Sequence, residues 1–160
     1  MKNFDNEMNT DTRDLMNNRQ HWMSIMARAD YQEFAEYWQS TNISPEFTSL
    51  RPAEIGMIML KGKVNGDGNA FNMGEATITR CSVQFSSGVI GSSYILGRNK
   101  QHAELAAVVD AQLQQGEFNE QIVENVLLPL SILHEQKQTQ YQSKAIKTKV
   151  DFFTLLRGED

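Results

Sequence analysis

Residues 75–96, EATITRCSVQFSSGVIGSSYIL, decide the fold class. Two runs rich in β-branched and aromatic residues, Glu75–Phe85 and Val89–Leu96, flank Ser86-Ser87-Gly88, and that composition predicts two antiparallel strands joined by a tight turn. Side chains alternate along a strand. One face therefore carries Glu75, Thr77, Thr79, Cys81, Val83 and Phe85, and the other Ala76, Ile78, Arg80, Ser82 and Gln84. Each face changes character midway, the first from polar to apolar and the second in reverse. A strand on a single core does this only with a bulge near Arg80 or with a partner over part of it. Glu75, Thr77, Thr79 and Arg80 are thus candidates for a ligand or subunit contact. The alternative is an edge strand with solvated polar ends.

Working outward, Glu46–Arg51 reads as a short strand and Ile55–Val64 (IGMIMLKGKV) as a longer one, mostly buried at its start and more polar at Lys61 and Lys63. NGDGNAFNMG, residues 65–74, holds an Asn-Gly and an Asp-Gly pair and reads as a loop. The tail Val150–Leu156 is a final strand or a docked segment. The expected sheet is antiparallel with about four to five strands.

Helical periodicity surrounds it. Leu15, Trp22, Ile25, Met26 and Ala29 share one face of a helix predicted over Thr12–Ala29, with Asp11 as its cap. Asp30 followed by Glu33 resembles a capping box and opens a second helix with the stripe Phe34, Tyr37, Trp38, ending near Ser40. Downstream, Asn99 caps a helix bearing Leu105, Ala106, Val109 and Leu113, which Gly116 ends. Phe118, Ile122, Val126, Leu130 and Leu133 form another, kinked or restarted at Pro129 because proline removes a hydrogen bond and clashes with the preceding turn. HEQKQTQYQSKAIKTK, residues 134–149, reads either as a solvated face or as a surface for a partner or phosphates. The fold class is α+β, the sheet flanked by two N-terminal helices and two in the C-terminal half. Residues 1–10 are a polar, disordered leader and 11–160 a single domain. Within it, 11–40 form a helical hairpin able to detach and pack on a partner through Trp22, Ile25, Met26, Phe34 and Trp38.

Composition narrows the function. The 160 residues carry 20 Asp+Glu against 15 Lys+Arg, a net charge of −5, which removes the footprint of a general nucleic-acid binder. The apolar runs at 55–60 and 126–133 fall far short of the roughly 20 residues of a membrane span, and the chain opens without a signal-peptide pattern. The single cysteine, Cys81, forms no internal disulfide, and the expected compartment is the cytoplasm.

Arg98 stands at a strand-to-helix junction, where free backbone N–H groups and the helix dipole favour an anion, and Lys100 follows. With Arg80 they are candidates for a phosphate or phosphonate contact, since guanidinium matches tetrahedral oxyanions bidentately, and His102 and Glu104 join them as candidates for a substrate or subunit contact. The competing reading pairs an arginine with Glu75 or Glu104. His102 points toward the apolar stripe of its helix, as a core or interface histidine does. His102 and Glu104 are two apart and diverge, so they are no metal pair of the HExxH kind. Cys81 with His102 would be the pair for a stand-alone hydrolase, but nothing in the sequence lowers the thiol pKa. Gly66, Gly68 and Gly74 fail the dinucleotide pattern because position 71 is Phe71, and Asn65, Asp67, Asn69 fail the calcium-loop pattern at Ala70 and Ala76. No catalytic set and no metal site are expected.

Taken together, FNMGEATITRCSV (71–83), YILGRNKQHAELAAVVDA (94–111) and VDFFTLLRGE (150–159), with RQHWMSIMARA (19–29), resemble the PhnG family, the small G subunits of the bacterial carbon–phosphorus lyase system. The resemblance runs over nearly the whole chain from about residue 12. Asn99 stands where the family often has an acid, and either caps a helix. The resemblance implies an accessory subunit of a transferase, not catalytic alone. It implies a core complex with H, I and J subunits and an ATPase-like L subunit. G, H, I and L would replace the adenine of MgATP by methylphosphonate, giving α-D-ribose 1-methylphosphonate 5-triphosphate, with no cofactor bound by this chain alone. It carries over no catalytic residue. The competing class is a scaffold protein whose partner lies outside phosphonate metabolism.

Overall fold

The computed structural model of the chain describes residues 18–63 and 68–147, the last three as backbone only. It is α+β. Helix α1 (Arg19–Arg28) and α2 (Tyr31–Ser40) precede three strands, β1 (Phe47–Lys63), β2 (Ala70–Phe85) and β3 (Ile90–Leu96), and α3 (Lys100–Gln115) follows. A last helical run comprises α4 (Asn119–Ile122), a π-helical turn (Val123–Leu127) and α5 (Leu128–Lys147).

The sheet is antiparallel in the order β1-β2-β3. Among the described residues it has three strands, not four to five, because Glu46–Arg51 and Ile55–Val64 run together as β1. Register shifts between Ser49 and Arg51 and between Arg51 and Glu54 absorb the irregularity, and Pro52, which lacks an N–H, is tolerated there. The expected bulge near Arg80 thus lies in the strand opposite, while β2 pairs with β3 unbroken from Ile78↔Leu96 to Gln84↔Ile90. Gly88 (φ 88°) closes the expected turn, where its N–H donates to the Phe85 carbonyl. β2 begins at Ala70, inside the stretch expected to be a loop. The segment Val150–Leu156, the leader and Asp11 lie outside the described residues.

Helix α3 covers one face of the sheet. It can approach closely because its inner side is alanine, with Ala103, Ala106, Ala107 and Ala111 buried, and because Gly91 of β3 faces it. A Cβ at Gly91 would run into the Ala107 carbonyl and the Ala111 backbone. β2 contributes Cys81, Val83 and Phe85 to the same core, and Ile122, Val126, Leu127 and Leu130 close it from the last helical run.

The termini of α2 and α3 follow the sequence. Asp30 caps α2 by accepting from Gln32 and Glu33 N–H, Asn99 caps α3 by accepting from His102 N–H, and Gly116 ends α3 at φ 84°. Among the described residues the first helix begins at Arg19, where the Asn18 side chain accepts from the Gln20 N–H; the expected start at Thr12 lies outside the described residues. Near Pro129 the run widens into a π turn instead of breaking: the Leu128 N–H donates to Val123, one residue further back than an α bond. Proline has no N–H for the Asn125 carbonyl, and the wider turn relieves the ring's clash with that carbonyl. Residues 134–147 are helical, with 135–144 exposed, and Lys137 pairs with Glu33 of α2 at 2.8 Å.

The N-terminal helices are docked. α1 packs on β3, α3, the π turn and α5, and α2 on the π turn. Trp22, Ile25, Met26 and Phe34, expected at a partner interface, are buried in this chain's own core, since α1 and α2 close the side of α3 that the sheet leaves open. Trp38 is half-buried.

Candidate functional site

The residues singled out in sequence separate into an inner and an outer set. The inner set centres on a group that sequence reasoning missed, the Asp110 carboxylate, fully buried in α3. Arg19 of α1 holds it by two bonds, Nε to Oδ1 at 3.1 Å and Nη2 to Oδ2 at 2.7 Å. The Trp22 indole N–H donates to Oδ1 at 2.9 Å, the Ser92 backbone N–H to Oδ2 at 2.9 Å, and the Gln114 amide to Oδ2 at 3.1 Å. One carboxylate thereby ties α1, β3 and α3 together, and the bond to it raises the Arg19 pKa further above its already high value. The signal was present: an aspartate within the apolar run Ala106–Leu113 needs buried donors, and Arg19 and Trp22 lie three apart on one face of α1.

His102 belongs to the same interior. Its Nε2–H donates to the Met26 carbonyl at 2.8 Å, one of the carbonyls left without an intrahelical partner at the end of α1. Its ring packs against Phe34 and Tyr31 at 5.8 and 6.1 Å between centroids. Burial holds its pKa below the ordinary 6.5, opposed by the bond to Met26. The neutral ring is spent inside the chain and is not offered to a substrate or subunit. Thr79 is likewise buried, its Oγ1 donating to the Gly97 carbonyl at 2.8 Å, while the Gly97 N–H donates to the Thr77 carbonyl at 2.8 Å. These bonds hold Gly97 (φ 100°) in the turn that launches Arg98.

Cys81 donates its thiol to the Arg51 carbonyl at 3.4 Å, and burial, then the charge of Glu104, push its pKa up. A thiol whose pKa is pushed up and that is engaged with β1, and a histidine engaged with α1, do not form the nucleophile pair that the stand-alone hydrolase reading needs.

The outer set is dispersed. Arg80 lies on the sheet face opposite α3 and pairs with Glu54 of β1 at 2.7 Å, not with Glu75 or Glu104. The side chains of Arg98 and Lys100, at the start of α3, are exposed and form neither hydrogen bond nor ion pair with the described residues. Glu104 lines a cleft of about 320 Å³ with Tyr31, Trp38, Phe47 and Leu105. Glu75 is exposed on β2, where β1 and β2 continue beyond the reach of β3. The midway change in β2 is thereby explained: α3 covers its C-terminal half, and its N-terminal half projects. Among the described residues no cluster of three or more His, Cys, Asp or Glu could hold a metal ion, and no helix is long and apolar enough to cross a membrane.

Comparison with known proteins is consistent along the chain. Residues 17–158 match the family model described as phosphonate metabolism protein PhnG. The chain is also 35% identical, over 149 residues covering 89% of it and 90% of the relative, to the alpha-D-ribose 1-methylphosphonate 5-triphosphate synthase subunit PhnG of Rhizobium meliloti (strain 1021). Arg19, Trp22, His102 and Asp110, the groups that tie the helices to the sheet, all fall within the matched span, and the chain belongs to the PhnG family of phosphonate metabolism proteins.

Proposed function

We propose that this chain is an accessory subunit of an α-D-ribose 1-methylphosphonate 5-triphosphate synthase within a carbon–phosphorus lyase system of the bacterial cytoplasm. It works with H, I and J subunits of a core complex and an ATPase-like L subunit. The substrates are MgATP and a phosphonate, and replacement of adenine at the ribose by methylphosphonate releases adenine. The observation that carries the accessory role is internal: Cys81, His102 and Asp110 are all committed to neighbouring backbone or side chains of this chain. The bond-breaking groups then come from a partner, and this chain completes or shapes that partner's site. The test is co-expression with the H, I and L subunits and measurement of adenine released from MgATP in the presence of methylphosphonate. Release is expected with this chain and lost without it; equal release without it overturns the proposal.

Within that role Arg98 and Lys100 are the groups left for an anionic substrate, because they are exposed and unpaired among the described residues while Arg80 is held by Glu54. Arg98→Ala and Lys100→Ala should lower adenine release at unchanged complex stoichiometry. Unchanged release in both removes that assignment.

A further inference from the structure

Beyond Ile78, where β3 ends, β1 and β2 continue as a two-stranded arm, Met57–Lys63 paired with Ala70–Thr77. Alternation puts Met57 and Met59 on one broad face and Ile58 and Leu60 on the other, and all four are exposed, at 68%, 57%, 43% and 43%. Met73 joins the second face, its thioether occupying the space that a Cβ at Gly62 would fill, and is 66% exposed. A two-stranded ribbon is marginally stable in water on its own, and an apolar surface on both faces lacks the solvated side that antiparallel sheets keep. Methionine, three of the five residues, is the side chain that repacks most readily against a partner.

Two features choose the occupant. A second copy meeting this one across a two-fold axis buries the same face of each arm and leaves the other apolar face wet. Covering both faces takes a cleft. Within Met57–Lys63 and Ala70–Thr77 the arm carries Lys61 and Lys63 against Glu75, and Arg98 and Lys100 follow Gly97, whose N–H donates to the Thr77 carbonyl at its base; all four cations are without an ion pair to the described residues. The complementary rim is acidic. We infer that the arm inserts between two walls of another synthase subunit, in an apolar cleft with an acidic rim. The inference rests on the functional reading above and assigns the docking element to the arm, not to α1 and α2.

The test uses the full chain co-expressed with the remaining synthase subunits. Met57→Glu/Met59→Glu and Ile58→Glu/Leu60→Glu alter one face each. Each is expected to reduce the chain recovered in the assembled complex by about tenfold or more. The thermal midpoint of the isolated chain should stay near the wild type, because the altered side chains are already in water. Lys61→Glu/Lys63→Glu, which leaves both apolar faces intact, should weaken assembly, less so at high salt. Wild-type recovery of both apolar variants overturns the inference. Loss with only one of them overturns the cleft in favour of a flat contact. A dimer of the isolated chain that these variants dissociate, with assembly unaffected, shows a second copy instead. If the wild-type chain itself is absent from the complex, the functional reading falls and this inference with it; if it assembles and the variants do too, only the inference falls.

Discussion

The helix-covered body and the projecting arm invert each other. In the body, groups that look functional in sequence point inward: Asp110 accepts from Arg19, Trp22, Ser92 and Gln114, and His102 donates to the end of α1. In the arm, residues that look like core point outward, with Met57, Ile58, Met59 and Leu60 exposed. The physics is the same in both. A buried charge is tolerated only when its donors are supplied, so an interior Asp marks where elements are tied together. An exposed apolar ribbon persists when something else covers it, so the arm marks where the chain ends and its assembly begins.

The sharpest way to break this contrast is Asp110→Ala. It leaves Arg19, the Trp22 indole and the Ser92 N–H without their acceptor, and should cost about 3–5 kcal/mol in urea unfolding of the isolated chain. A loss within the range of an ordinary surface change would mean that Asp110 is not the tie. Next is Gly91→Ala, which pushes α3 off β3 and should cost about 1–3 kcal/mol, since the groups it meets are helix backbone and cannot rotate away.

His102 supplies a pH test with a defined sign. Its pKa in the folded chain lies below the unfolded value near 6.5, so the unfolded chain binds the extra proton first as pH falls. Stability is therefore full above about pH 6.5 and declines below it, until the folded-state pKa is reached. In His102→Gln that part of the decline should vanish, with a separate loss of about 1 kcal/mol if the bond to Met26 is not remade. A decline of equal slope in the variant would place the titrating group elsewhere.

How much of this was legible in the sequence depended on the range of the interaction. Asp30, Asn99 and Gly116 act on backbone within a few residues, and their roles could be read directly. His102 was readable as a core histidine because its spacing to the apolar stripe is helical, but its acceptor lies 76 positions away. The role of Asp110 is not legible at short spacing, because its donors come from α1 and β3 through tertiary packing. The start of Ile55–Val64, expected to be mostly buried, is exposed instead for a related reason. An apolar run without alternation, IGMIML, reads as a strand buried on both faces, and periodicity does not say whether the covering layer belongs to the same chain. The same ambiguity, resolved the other way, led the stripe of α1 and α2 to be assigned to a partner.

The smallest effect is expected where body meets arm. Arg80 pairs with Glu54 across β1 and β2, with Arg51 near the same carboxylate at 3.6 Å. All three side chains are between 41% and 48% exposed, so the Coulomb attraction is screened by water and partly offset by the entropy of holding long side chains. Arg80→Ala should change stability by about 0–1 kcal/mol, with the difference shrinking further as salt is raised. The variant nevertheless separates two roles that share this residue. If Arg80 only fastens β1 to β2, adenine release by the assembled synthase should follow the small stability change. If release falls by an order of magnitude or more while stability and assembly hold, the guanidinium acts on a group outside this chain. The boundary of the functional surface then moves from the arm onto the open face of the sheet.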